Sequence, residues 1–117
     1  MEMKVHLHSD VFDIVKKGKK DIEVRVNDEK RRKLHIGDTL IFLKRPLEDE
    51  CIVKTVKALE YYNNFEELVN HYDMKRIYLE GYTKEMYLSE MRRFYTEEDE
   101  NKYGALAIIF EVFDDEA

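Results

Sequence analysis

Four residues within eight positions, Gly18, Lys20, Glu23 and Arg25, have the types and spacing to do chemistry. A glycine lets the backbone approach a partner closely, Lys20 supplies a compact ammonium and Arg25 a rigid planar fork of donors. Glu23 can orient both cations or accept from a ligand amine. Gathered beside a cleft, these groups recognise a base or a phosphate. Spread on an open sheet face they form only a salt-bridged surface, and the residues alone leave both readings open. His6 and His8, two apart on an early strand, can share a face. No third ligand stands at a short spacing, so we expect polar strand or pocket positions there, with no metal and no cofactor. No phosphate loop, HExxH helix, CxxC pair or G-x-S-x-G elbow occurs. The single cysteine, Cys51, allows no internal disulfide, and its neighbours Ile52 and Val53 predict a buried, inert thiol.

The elements that must position these groups follow from periodicity. Met3 to Leu7 alternates as a first strand, and Ser9 and Asp10 are candidate caps for a short helix through Phe12, Ile14 and Val15. Gly18 should end that helix, with Lys16 and Lys17 in its last turn. Ile22, Val24 and Val26 alternate with Glu23, Arg25 and Asn27, which predicts a half-buried strand with the carboxylate and guanidinium on its polar face. A polar connection or single helical turn over 27–33 precedes strands over 39–43 and 51–59, a candidate hairpin around Pro46. Asn64 caps a helix through Phe65, Leu68 and Val69, and 73–79 is compatible with either a short helix or a loop. A longer helix is expected over 83–95, with Met86, Tyr87, Glu90, Met91 and Phe94 at helical spacing. Thr96 opens another turn, closed by Tyr103 and Gly104. The apolar run from Ala105, extended to Phe113, predicts an interior strand covered on both faces.

The chain has 117 residues, enough for one packed core, and we treat 1–117 as a single domain. At 44% hydrophobic and 39% charged it is neither disordered nor collagen-like. Its longest apolar run is a hexad and its N-terminal region lacks a signal peptide's apolar segment, so the expectation is a soluble cytoplasmic protein. The net charge of −6 hides an asymmetry: residues 16–33 carry +5 and the remainder −11. Such a chain can offer one basic face, including Lys30, Arg31 and Lys33, to a polyanion. A solvated basic loop balanced by acidic helices is the alternative. Of the eight tyrosines, Tyr87, Tyr95 and Tyr103 are expected in the core, whereas Tyr61, Tyr62 and Tyr82 are open candidates, Tyr61 as a base-stacking ring on a cleft rim.

Gly18-x-Lys20-x-x-Glu23-x-Arg25 resembles the G-x-K-x-x-E-x-R signature of the ASCH domain, within the PUA-like superfamily. Ile36-Gly37-Asp38, Phe42 and the late Lys102-Tyr103-Gly104 before a hydrophobic strand extend the resemblance to short single-domain bacterial members over nearly the whole chain. The resemblance implies an α+β fold, a PUA-like pseudo-barrel of five or six strands with peripheral helices and a cleft lined by the signature residues. It also implies binding of RNA or a nucleoside-like ligand. A related small amidohydrolase, acting on an acylated cytidine through a lysine, a threonine and a glutamate, matches at Lys20. Glu23 stands where its threonine would, and Glu85 or Glu90 is the candidate for its glutamate. A hydroxyl can attack an amide carbon, while Glu23 would have to activate water, so a metal-independent hydrolase acting on an acylated nucleoside or an RNA phosphodiester is the second reading. A protein-interaction domain meeting a basic partner through the acidic C-terminal half is the third.

Overall fold

Six consecutive apolar residues need cover on both faces, and the strand they form organises the molecule. The computed structural model describes residues 1–112. In it Ala105–Phe110 is β5, the last of five strands. Leu106, Ile108 and Phe110 enter a core with Val5, Phe12, Leu40 and Phe42, while Ala105 and Ala107 enter a second core with Phe65, Leu68, Ile77 and Tyr87. The other strands are β1 (Glu2–Leu7), β2 (Ile22–Val26), β3 (Thr39–Lys44) and β4 (Cys51–Tyr62). They form one sheet in the order β1-β3-β4-β5-β2, with β1 and β3 parallel and the other neighbours antiparallel.

β4 makes the sheet curl. Its first half pairs with β3 and its second half with β5, and the register slips between Val56 and Ala58. A bulge on a strand shared by two halves of a sheet increases the local twist and turns a corner. The result is a half-barrel whose two edges, β1 and β2, face across a seam.

Among the described residues five α-helices cover the openings: α1 (Ser9–Lys16), α2 (Phe65–Val69), α3 (Met74–Ile77), α4 (Lys84–Met91) and α5 (Glu97–Tyr103). Side-chain caps fix the starts of four of them. Asn64, Asp73, Thr83 and Thr96 accept from Glu67, Lys75, Met86 and Asp99 backbone N–H groups respectively. The buried Glu100 carboxylate also accepts from the Phe65 N–H at 2.7 Å, tying α5 to the start of α2.

Several expectations need correction. Residue His8, rather than Ser9 or Asp10, is the cap position of α1, and it makes no side-chain capping bond. The strand β2 is covered on both sides, not half-buried, because its polar residues face the barrel side rather than water. Helix α4 stops at Met91, since the cap of α5 follows only five residues later, so Phe94 lies beyond the helix, and both it and Met86 are exposed. Cys51 is exposed: the two-residue period of β4 turns Ile52, Lys54 and Val56 inward and Cys51 and Val53 outward. β4 also runs three residues beyond Leu59, so Tyr61 and Tyr62 lie within it. β5 ends at Phe110, and Phe113 lies outside the described residues.

Candidate ligand-binding cleft

The two edge strands line one cavity of about 360 Å³. β1 and the residue after it contribute His6, Leu7 and His8; β2 contributes Glu23, Val24 and Arg25. Tyr78, Tyr87, Met91, Phe94 and Tyr95 wall it, and Arg45 and Glu90 complete the rim. This is the concave, mostly apolar site with a few convergent charges that a small ligand requires.

Local structure delivers Lys20 into it. Gly18, at φ +76°, lets the chain reverse at the end of α1: its N–H donates to the Val15 carbonyl at 3.0 Å, and the Lys19 N–H to that of Ile14 at 2.9 Å. Gly18 therefore serves the site through the backbone and does not line the cleft. After the reversal, the buried Lys20 side chain turns inward. Its ammonium donates to the Ile77 carbonyl at 2.7 Å and to the Ile22 carbonyl, and stands 3.1 Å from Glu23 Oε1. A forked pair of 2.9 Å bonds from Arg76 to Asp21 docks α3 against the start of β2 and so places the Ile77 carbonyl.

Glu23 holds a second cation on its other oxygen, Arg25 Nη2 at 2.7 Å. Arg25 Nη1 donates a long, 3.5 Å bond to the Tyr95 hydroxyl, and its buried Nε has no partner. The two cations thus differ. Lys20, with three donors, meets three acceptors and is saturated, whereas Arg25, which lines the cleft with its side chain 21% exposed, has five donors and two partners.

The electrostatics follow from burial and pairing. Burial alone would raise the Glu23 carboxyl, but the Lys20 and Arg25 charges outweigh it and hold the group below the usual glutamate range. For Arg25, burial opposes the charge and the Glu23 carboxylate more than restores it, so the guanidinium is cationic at any working pH. Burial pushes Lys20 down, with Glu23 only partly offsetting it. The shifts on Lys20 and Glu23 pull the pair in opposite senses. The geometry decides between them: two of the three acceptors of Lys20 are carbonyls with no proton to give, so the pair is ionised near neutrality. Burial and then the Glu23 charge raise the Tyr87 phenol, which stays protonated. Lys20, Glu23 and Arg25 together carry a net +1 in a largely desolvated cleft, a charge an anionic ligand would neutralise.

The other predicted positions lie elsewhere. Glu85 is exposed in the first turn of α4 and away from the cavity, while Glu90, one turn on, lines it. Lys30 and Lys33 are exposed around a 3₁₀ turn over Arg31–Lys33, and Arg31 pairs with Asp28 at 3.2 Å, so none of the three lines the cleft. Arg31 is still near enough for its charge to help lower Glu23. Tyr61 is 59% exposed on the outer reach of β4, off the cleft. Tyr87 and Tyr95, expected only in the core, are cleft walls as well. Sequence reasoning missed Arg45, Tyr78, the Ile77 carbonyl and the Asp21–Arg76 fork. Only Asp21, lying inside the motif, offered a signal. His6 and His8 both face the cleft, with His6 Nδ1 3.0 Å from Glu48.

A curled five-stranded half-barrel with peripheral helices and a charged cleft at its seam defines a PUA-like domain. The ASCH domain model matches residues 5–113, and the chain belongs to that family, which is generally thought to bind RNA. The crystal structure of hypothetical protein PH0355 superposes with a TM-score of 0.83 at 32% identity, over 95% of this chain and 98% of that one. The solution structure of protein PF0455 from Pyrococcus furiosus gives 0.76 at 34% identity, over 95% and 96%. The crystal structure of ASCH from Zymomonas mobilis gives 0.64 at 17% identity, over 94% and 66%, a likeness of fold. No functionally curated protein matches the chain. No helix among the described residues is long and apolar enough to cross a membrane.

Proposed function

We propose that the seam cleft binds a nucleotide unit of RNA, or a free modified nucleotide, with a phosphate or carbonyl oxygen on Arg25 and the base against the walls formed by Tyr87, Tyr95 and Phe94. The observation that carries this reading is a cleft-lining Arg25, its side chain 21% exposed, with five N–H donors against Glu23 and the Tyr95 hydroxyl, beside a saturated Lys20. A ligand oxygen at the exposed part of the guanidinium would take up the donors that the protein leaves over. In this reading Lys20 and Glu23 are positioning residues that hold the guanidinium plane. Lys30, Arg31 and Lys33 supply screened, longer-range attraction from outside the cleft.

Calorimetric titration of ribonucleoside monophosphates and short single-stranded RNA into the wild type, Arg25→Met and Arg25→Lys tests the assignment. Arg25→Lys keeps the charge and should fold, yet it should lose about tenfold or more in affinity with the fork, in line with roughly 1.5–3 kcal/mol for a hydrogen bond to a charged group. Unchanged affinity in both variants would remove Arg25 from the account.

One observation favours a hydrolase as second reading: a lysine and a glutamate stand 3.1 Å apart in the cleft. A carboxylate held low between two cations is a weak base, so this reading predicts slow turnover. Deacylation of acylated cytidine and RNA-cleavage assays, with folded Glu23→Gln as control, would register it.

A further inference from the structure

A second cavity, of about 750 Å³, lies across Tyr78 from the first. It is lined by Ile14, Lys19, Lys75, Leu79 and Tyr82, with Glu80 as its one acidic residue, and Tyr78 lines both cavities. The rings form a continuous ladder: Tyr82 meets Tyr78 edge-on at 4.8 Å, and Tyr78 meets the first cavity's Tyr87 at 5.3 Å. Lys19 and Lys75 are exposed at the flanks of the second cavity, Lys75 only loosely engaged with Asp73 at 3.8 Å.

Resting on the nucleotide reading of the first cleft, we infer that the second cavity is the subsite for the adjoining nucleotide of a single strand. Its base lies against Tyr82, and Lys19 and Lys75 neutralise the phosphate it carries. Three features point to that occupant. A partly exposed aromatic ring sharing a cavity with two unburied cations is the pairing that single-stranded nucleic acid binds, since every base has a π-face and every link a negative charge. Tyr78 lines both cavities, so one strand can enter both. The reversal at Gly18 that sends Lys20 into the first cavity leaves Lys19 on the second, so one turn of backbone supplies a cation to each side. A mononucleotide fills the first cavity only; a dinucleotide fills both.

The test compares mononucleotides of the four RNA bases with the corresponding homodinucleotides, each 5′-phosphorylated, by calorimetry on wild type, Tyr82→Ala and the double variant Lys19→Gln/Lys75→Gln. All three positions lie at or near the surface, so the variants should fold. The dinucleotide is expected to bind wild type about tenfold or more tighter than the mononucleotide, within the range of one base stacked on an aromatic ring. Tyr82→Ala should abolish most of that advantage at any salt concentration. The double lysine variant should reduce it mainly at low salt, with a shallower salt dependence. In both, mononucleotide affinity should match wild type. If mononucleotides bind while the dinucleotide gains nothing, or if its gain survives in all variants, the second subsite is overturned and the first cleft's assignment stands. If neither ligand binds wild type, both readings fall together.

Discussion

The half-barrel is closed by two unlike means at opposite sides. At the corner, β4 and β5 pair through to Tyr62, and the β5 side chains from Ala105 to Ile108 are fully buried in two apolar cores. At the seam, β1 and β2 do not pair, and Lys20, Glu23 and Arg25 occupy the space between them. Unpaired strand edges are normally a hazard that proteins blunt with charge or with bulges. Here the charges that occupy the seam also create the cleft, so one feature of the sheet provides both an ending and a site. The corner should therefore respond to loss of volume, and the seam to loss of charge.

The sharpest way to break this contrast is a pair of variants measured by chemical denaturation. Glu23→Gln leaves Lys20 and Arg25 buried without a counter-charge and should cost about 3–5 kcal/mol. Ile108→Ala opens a cavity beside β5 and should cost about 2–5 kcal/mol. Only the first should change the pH profile. The folded Glu23 carboxyl titrates below its ordinary value of 4.5, so its stabilisation is complete above that value and is lost as pH falls below it. Wild type and Ile108→Ala should both show that acid loss, and Glu23→Gln should lack Glu23's part of it. Equal profiles for all three proteins would mean that the seam is not held by charge.

A smaller effect tests the entry to β5, where close packing rather than charge holds the chain. Gly104 links α5 to β5 at φ +76°, and a Cβ there would lie 2.7 Å from the Tyr62 carbonyl oxygen. Gly104→Ala should cost at least about 1–3 kcal/mol by denaturation through backbone strain and that clash. Gly104 does not line the cleft, so nucleotide affinity of the folded fraction should be unchanged. The smallest expected effect concerns Cys51. Exposed at the start of β4, it should accept Cys51→Ser within about 0.5 kcal/mol and react readily with a thiol reagent in the folded protein. Protection from the reagent until unfolding would return it to the core.

Much was legible before the fold. The apolar run of β5, the glycine stop at Gly18, the Asn64 and Thr96 caps and the strand carrying Glu23 and Arg25 are local patterns, and each appears at or near its expected place. Family membership rested on the same short motifs. The failures share a cause. Cys51 is expected in the core on its apolar neighbours and Phe94 on the helix on its spacing, but which face of an element is covered, and where a helix stops, depend on neighbours far away in the chain. Glu85 and Glu90 could not be separated by spacing from a motif some sixty residues upstream, because α4 is rotated by packing of Tyr87 and Met91, which turns Glu90 toward the seam.

The sequence by itself determined that Lys20, Glu23 and Arg25 would be near neighbours: a helix stop followed by a two-residue alternation leaves little freedom over so short a span. It did not determine what they face. The bulge in β4 curls the sheet until its edges converge, and the Asp21–Arg76 fork brings the Ile77 carbonyl onto Lys20 from a segment that local patterning left undecided between helix and loop. That contact saturates the lysine and leaves the arginine as the cation with a donor to spare. Tertiary structure settled this because hydrogen-bond saturation is a count of partners, and the deciding partner is a backbone carbonyl 57 residues away, a group every residue carries and no side-chain pattern marks.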